Sequence, residues 1–171
     1  MRHRTLSAAI GAAILILSAG SASPAQGVVS GIYVMDRERS DNAFQAIESA
    51  IAALPNAQRP LARMRLRKSL ASGEMRISIA GSRFAIAFPG RAPIAVMIGG
   101  EPVKWTLVDV LVFYVSAKAD GDAISLTFRG DDIKMVATHR GVGQDLVVDK
   151  TVTSSLVPTP IVYKEIYNRA N

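Results

Sequence analysis

The sequence predicts an α+β protein that is mainly antiparallel β, with a helical N-terminal segment set on a meander of about 8–9 strands. Three observations carry this reading. From Glu74 onward the chain runs in short stretches that alternate apolar and polar residues. Turn residues, mostly Gly or Asp-Gly, separate those stretches at regular spacing. Ahead of them, apolar residues recur at three- and four-residue steps instead. Hairpin connections make neighbours in sequence neighbours in space, and curling the meander into a barrel removes the edges an open sheet would expose.

The elements follow in order. Met1-Arg2-His3-Arg4 is a short basic start, Leu6 to Ala19 is apolar, and Gly20 to Ala25 are small residues and one proline. This is the tripartite pattern of a secretory signal peptide over residues 1–25, with cleavage expected after Ala25, or alternatively after Ala22. The apolar run is shorter than the ~20 residues a spanning helix needs. The remainder, 26–171, reads as a single domain. A short extended piece covers Val28 to Met35. Ser40 to Leu54 reads as a helix, because Phe44, Ile47, Ile51 and Leu54 form one stripe. Ser40 or Asp41 can cap it, and Pro55-Asn56 stops it. Pro60 to Ala71 reads as a second helix with Ala62, Leu66 and Leu70 on one face. Arg63-Met64-Arg65-Leu66-Arg67 also alternates with period two, which leaves a strand open there. The helical segment is thus 40–71.

Strands are expected over 74–167. Their inward positions would be Met75, Ile77 and Ile79; Phe84, Ile86 and Phe88; Ile94, Val96 and Ile98; Val103, Trp105 and Leu107. The run from Val110 to Ala119 follows, then Ile124, Leu126 and Phe128; Ile133, Met135 and Ala137; Leu146, Val148 and Val152; and finally Ile161 to Tyr167.

Composition excludes several chemistries. There is no cysteine, so disulfides, thiolate catalysis, iron–sulfur clusters, cysteine-ligated zinc and a lipoprotein anchor are all ruled out. His139 is the sole histidine beyond the leader, so a Ser-His-Asp centre or a multi-histidine metal site has no inventory. It reads as an ordinary surface or strand-end histidine. Asp36, Glu38 and Asp41 lack the pattern of a calcium loop. Asp131-Asp132 and Asp145 with Asp149 fit turns and surface better than a carboxylate pair. The expectation is therefore no enzyme, no cofactor and no metal. Of the 20 basic residues, Arg2 and Arg4 leave with the leader, so 18 face 14 acids. That mild excess, without a reading motif, does not indicate nucleic acid.

Gly31-Ile32-Tyr33-Val34-Met35-Asp36 resembles the Gly-x-aromatic opening of lipocalin-like (calycin) barrels. Those barrels pack the aromatic at the base beneath an arginine from near the barrel's end. Tyr33 matches the aromatic, and Arg169 can supply the arginine, with Arg140 as a rival. The Thr-Asp-Tyr turn of that family is absent, and two helices stand where its first hairpin would begin. The opening is also similar to that of periplasmic isoprenoid-binding barrels. The resemblance implies a lipocalin-like barrel, with Tyr33 and Arg169 as its base pair, that holds an apolar small molecule or lipid outside the cytoplasm, periplasmic or secreted.

Phe84, Trp105, Phe113, Phe128 and Tyr163 are the candidate lining of such a pocket, since apolar ligand sites are built from side chains of this kind. Arg63 and Arg67, at a four-residue step on the second helix, are candidates for meeting an anionic head group. No membrane span is expected after processing. The alternative is a structural or protein-interaction module with a solid core.

Overall fold

The computed structural model describes residues 27–68, 73–108 and 111–170. The expected leader 1–25, the far end of the second expected helix with Leu70 and Ala71, and Val110 lie outside the described residues. In chain order the elements are β1 (Gly31–Met35), α1 (Ala43–Ile51), α2 (Arg59–Lys68), β2 (Glu74–Ala80), β3 (Arg83–Ala87), β4 (Ile94–Met97), β5 (Val103–Val108), β6 (Leu111–Asp120), β7 (Ala123–Arg129), β8 (Ile133–Val142), β9 (Asp145–Ser154) and β10 (Ile161–Arg169). They form one antiparallel sheet in the order β4-β3-β2-β1-β10-β9-β8-β7-β6-β5. Ten strands replace the expected 8–9. The extended piece before the helices is itself a strand, because β1 finds partners on both sides, β2 on one and β10 on the other.

Joining the first strand to the last curls the sheet until its edges, β4 and β5, meet. There the barrel is nearly closed: among the described residues, Ile98, just past β4, makes a parallel bridge to Ala117 of β6, and the Gly99 amide donates to the Ala117 carbonyl at 2.8 Å. Tight turns hold the meander in register. Between β6 and β7 the turn needs φ of 60° at Gly121, a backbone region that a side chain disfavours.

The barrel has two unlike ends. At its base, where β1 begins and β10 ends, residues 27–30 cross beneath the strands. Val28 is buried in the core. A Cβ at Gly141 would overlap the Gly27 carbonyl, so glycine is required at that crossing. Tyr33 is buried just inside, and its hydroxyl donates to the Val29 carbonyl at 2.6 Å.

At the other end the two helices cover the β9–β10 side. Ile47 and Ile51 of α1 and Ala62 and Leu66 of α2 are buried with Val152, Val157, Ile161 and Tyr163. The segment that also reads as a strand is therefore helix, and Ala62 and Leu66 of its expected apolar face are buried. Two expectations are corrected. The α1 cap is Asn42, whose side-chain oxygen accepts from the Gln45 amide at 3.1 Å. Ser40 and Asp41 instead extend the pairing with β10: Ile166 N donates to Ser40 Oγ at 2.8 Å, and Lys164 N to Asp41 Oδ2 at 2.7 Å. Phe44, the first member of the expected stripe, is 53% exposed rather than buried, and the Arg67 guanidinium lies over its ring.

Candidate functional site

Period-two alternation aims one face of every strand into the barrel. At most inward positions that face is apolar, and three of the large rings meet on one wall. Trp105 and Phe113 stand opposite each other in the β5–β6 ladder, and Phe128 of β7 lies beside both. The ring centroids are 5.9–6.3 Å apart, with Phe128 edge-on to the other two. Trp105 Nε1 donates to the Ala92 carbonyl at 2.8 Å, which ties the β3–β4 connection to β5 across the seam.

These rings wall a cavity completed by Met75, Ile86, Phe88, Leu107, Leu126, Ile133, Met135 and Ala137, and by Arg91, His139 and Lys150. The cavity has a volume of only about 30 Å³. The interior is therefore a narrow apolar slot with a basic, hydrogen-bonding flank.

That flank is a buried polar cluster. Lys150 of β9 and Tyr163 of β10 are direct ladder partners. The Lys150 ammonium lies 2.5 Å from Glu165 Oε2, with side chains only 5% and 4% exposed. It also sits 5.6 Å from the centre of the Tyr163 ring. The Tyr167 hydroxyl donates to the same Glu165 oxygen at 2.6 Å. Burial holds Lys150 below the ordinary lysine pKa, while the Glu165 carboxylate opposes that shift. Burial and the nearby carboxylate both raise Tyr163 and Tyr167. Among the described residues, the Tyr163 hydroxyl is buried with no hydrogen-bond partner. His139 donates from Nδ1 to the Ile124 carbonyl at 3.2 Å, and burial pushes its pKa down to about 4. It is a neutral interior histidine of β8, not the ordinary surface or strand-end residue that its position before Arg140 suggests.

The structure brings Trp105, Phe113 and Phe128 together on the cavity wall. It does not place the other two expected lining residues there. Phe84 is fully buried to one side, its ring 5.9 Å from that of His139. Tyr163 belongs to the cluster beneath the helices. Arg63 and Arg67 are not held out for a head group, because both guanidiniums are bound at 2.7 Å to the Glu48 carboxylate, Arg63 through two nitrogens. Tyr33 and Arg169 are direct partners in the β1–β10 ladder, and the Arg169 guanidinium donates to the Ser30 carbonyl at 2.8 Å.

Four of the acidic residues weighed for metal binding or catalysis are held in ion pairs. Asp36 and Asp145 both bind Arg39, Asp132 binds Arg65, and Asp149 binds Arg140. Among the described residues no group of three or more His, Cys, Asp or Glu is placed to hold a metal ion.

No family model matches the chain, and neither does any curated protein. Solved structures do share its shape. The fatty-acid-binding protein of Manduca sexta superposes with a TM-score of 0.53 at 17% identity, over 82% of this chain and 98% of that one. The chain has the fold of the fatty-acid-binding, lipocalin-like calycin barrels. Secretory abundant heat soluble protein 4 of Ramazzottius varieornatus shares this calycin fold (TM-score 0.54, 15% identity, 83% and 94% covered). So does a luciferase domain of the dinoflagellate Lingulodinium polyedrum (0.56, 12%, 85% and 43%). One of these neighbours is named for fatty-acid binding and another is a luciferase domain, so the shared fold does not by itself assign a function.

Proposed function

We propose that this calycin barrel is an exported, noncatalytic carrier that binds a small apolar molecule or lipid in the cell envelope or outside the cell. The single observation that carries the reading is the interior slot, whose lining combines the aromatic rings of Trp105, Phe113 and Phe128 with Arg91, His139 and Lys150. A ligand with an apolar body and one polar end matches that combination. The fold shared with the Manduca sexta fatty-acid-binding protein supports it. So narrow a slot accepts a ligand only by side-chain movement, and Met75 and Met135 in its wall are the residues best able to yield. The export half rests on the leader pattern of residues 1–25. Protein from the cell envelope whose first residue is Gln26 supports it; protein retaining Met1 contradicts it.

A second reading, a protein-interaction module, is favoured by the exposed Phe44, Leu61 and Met64 on the helices. Trp105 is the only tryptophan of the chain, so its fluorescence separates the two readings. Saturable change on titration with decanol or decanoic acid supports the carrier. An unchanged spectrum up to the solubility limit of both contradicts it.

A further inference from the structure

Inside an apolar wall, a lone ion pair is a costly device. Desolvating two charges typically offsets much of their mutual attraction, and an apolar pair of similar volume often does as well or better for stability. Lys150 and Glu165 nevertheless occupy inward positions of adjacent strands, and Lys150 contributes to the cavity wall.

The arrangement around the Lys150 nitrogen is specific. A carboxylate oxygen lies 2.5 Å away, fixed in turn by the Tyr167 hydroxyl at 2.6 Å, and the face of Tyr163 lies beneath it. A cationic nitrogen is thus stabilised by a held counter-ion and an aromatic ring at the edge of an apolar slot. The same burial that costs stability favours the uncharged amine over the ammonium, and a desolvated lysine amine is a nucleophile toward carbonyl carbon.

We propose that Lys150 is a covalent capture site for apolar aldehydes, held as a protonated Schiff base with Glu165 as counter-ion. The inference rests on the carrier reading and names a ligand class for its cavity.

The chemistry balances without any further reactant. The Lys150 ammonium gives one proton to the Glu165 carboxylate. The freed amine attacks the aldehyde carbon, and a C–N bond forms as the C=O π bond opens. A proton passes from that nitrogen to the former carbonyl oxygen, giving a carbinolamine. Glu165 then returns its proton to the hydroxyl, which leaves as water as the C=N bond forms. One ammonium and one aldehyde become one iminium and one water, with charge unchanged. The iminium faces the carboxylate that faced the ammonium, so the interior electrostatics are the same before and after. Exposed lysines such as Lys104, Lys118 and Lys164 lack both the dry surroundings that protect an imine from hydrolysis and a buried counter-ion.

The test uses the unaltered protein with decanal and cyanoborohydride, which reduces an iminium to a stable secondary amine, followed by intact-mass analysis and peptide mapping. The expected result is one alkyl group per chain, on Lys150, added about ten-fold faster than to any exposed lysine. Lys150→Met should abolish that adduct, and Glu165→Gln should slow it about ten-fold. Decanol binding, followed by native mass spectrometry, reports the cavity independently. Modification confined to exposed lysines while decanol still binds overturns the proposal and leaves the carrier reading standing. If decanol also fails to bind, the carrier reading falls, and the proposal with it.

Discussion

Tyr33 of β1 and Arg169 of β10 stand opposite each other in the ladder that joins the first strand to the last. This is where the meander becomes a barrel. The tyrosine fills the interior just above the base, while the arginine reaches over the opening chain to the Ser30 carbonyl. Truncation at the two positions should therefore differ. Tyr33→Ala removes a buried ring and should cost about 3–5 kcal/mol. Tyr33→Phe, which loses only the bond to the Val29 carbonyl, should cost about 1 kcal/mol. Arg169→Ala should leave the urea midpoint near that of the unaltered protein. Equal losses at the two positions would mean that the arginine, not the ring, secures the closure.

The base depends equally on a residue with no side chain. Because a Cβ at Gly141 would overlap the Gly27 carbonyl, Gly141→Ala should displace the crossing segment and cost about 1–3 kcal/mol. Hydrogen exchange at residues 27–30 should rise with it. Unchanged exchange would show that the crossing does not persist in solution.

His139 makes stability depend on pH. Its ordinary value is 6.5, and burial lowers the folded value to about 4. Below pH 6.5 the unfolded chain therefore takes up a proton that the folded chain refuses, and stability falls as pH drops toward 4. The loss through this group is on the order of 3 kcal/mol and levels off below the folded value. His139→Gln should flatten that part of the profile, as read from denaturation midpoints between pH 7 and pH 4. An identical slope in the variant would assign the effect to other groups.

The interior ion pair should behave as a unit. Lys150→Met alone strands the Glu165 carboxylate in the barrel and should cost about 3–5 kcal/mol. Adding Glu165→Gln removes the charge but keeps an oxygen for the Tyr167 hydroxyl, so the double variant should lie within about 2 kcal/mol of the unaltered protein. Additive losses in a double-mutant cycle would contradict the coupling.

Much of this barrel is legible in the sequence, because each strand has one face in and one face out. Phe84, Ile86 and Val96 are buried where the alternation puts them. The same alternation carries the signal for the polar cluster. Lys150 continues the inward series of Leu146 and Val148, Glu165 that of Ile161 and Tyr163, and His139 that of Met135 and Ala137. A charged residue reads by default as outward, so these positions pass for interruptions. Other features depend on partners that local spacing does not reveal. Ser40 and Asp41 look like caps until β10 is known to lie alongside. Arg63 and Arg67 look unengaged until the turn brings Glu48, 15 and 19 residues earlier, against them. Arg91 lies in a connection with no periodicity, so nothing in its neighbourhood marks it as facing the cavity.

The carrier reading is tested most directly by native mass spectrometry, with lipid extraction, on protein purified gently from its own source. A discrete co-purifying mass that is lost when Trp105→Arg fills the slot is the expected result, and it names the cargo class. A protein mass with nothing bound, and no uptake of fatty-acid or isoprenoid probes, would contradict the carrier reading and leave the exposed helix face as the place to seek a protein partner.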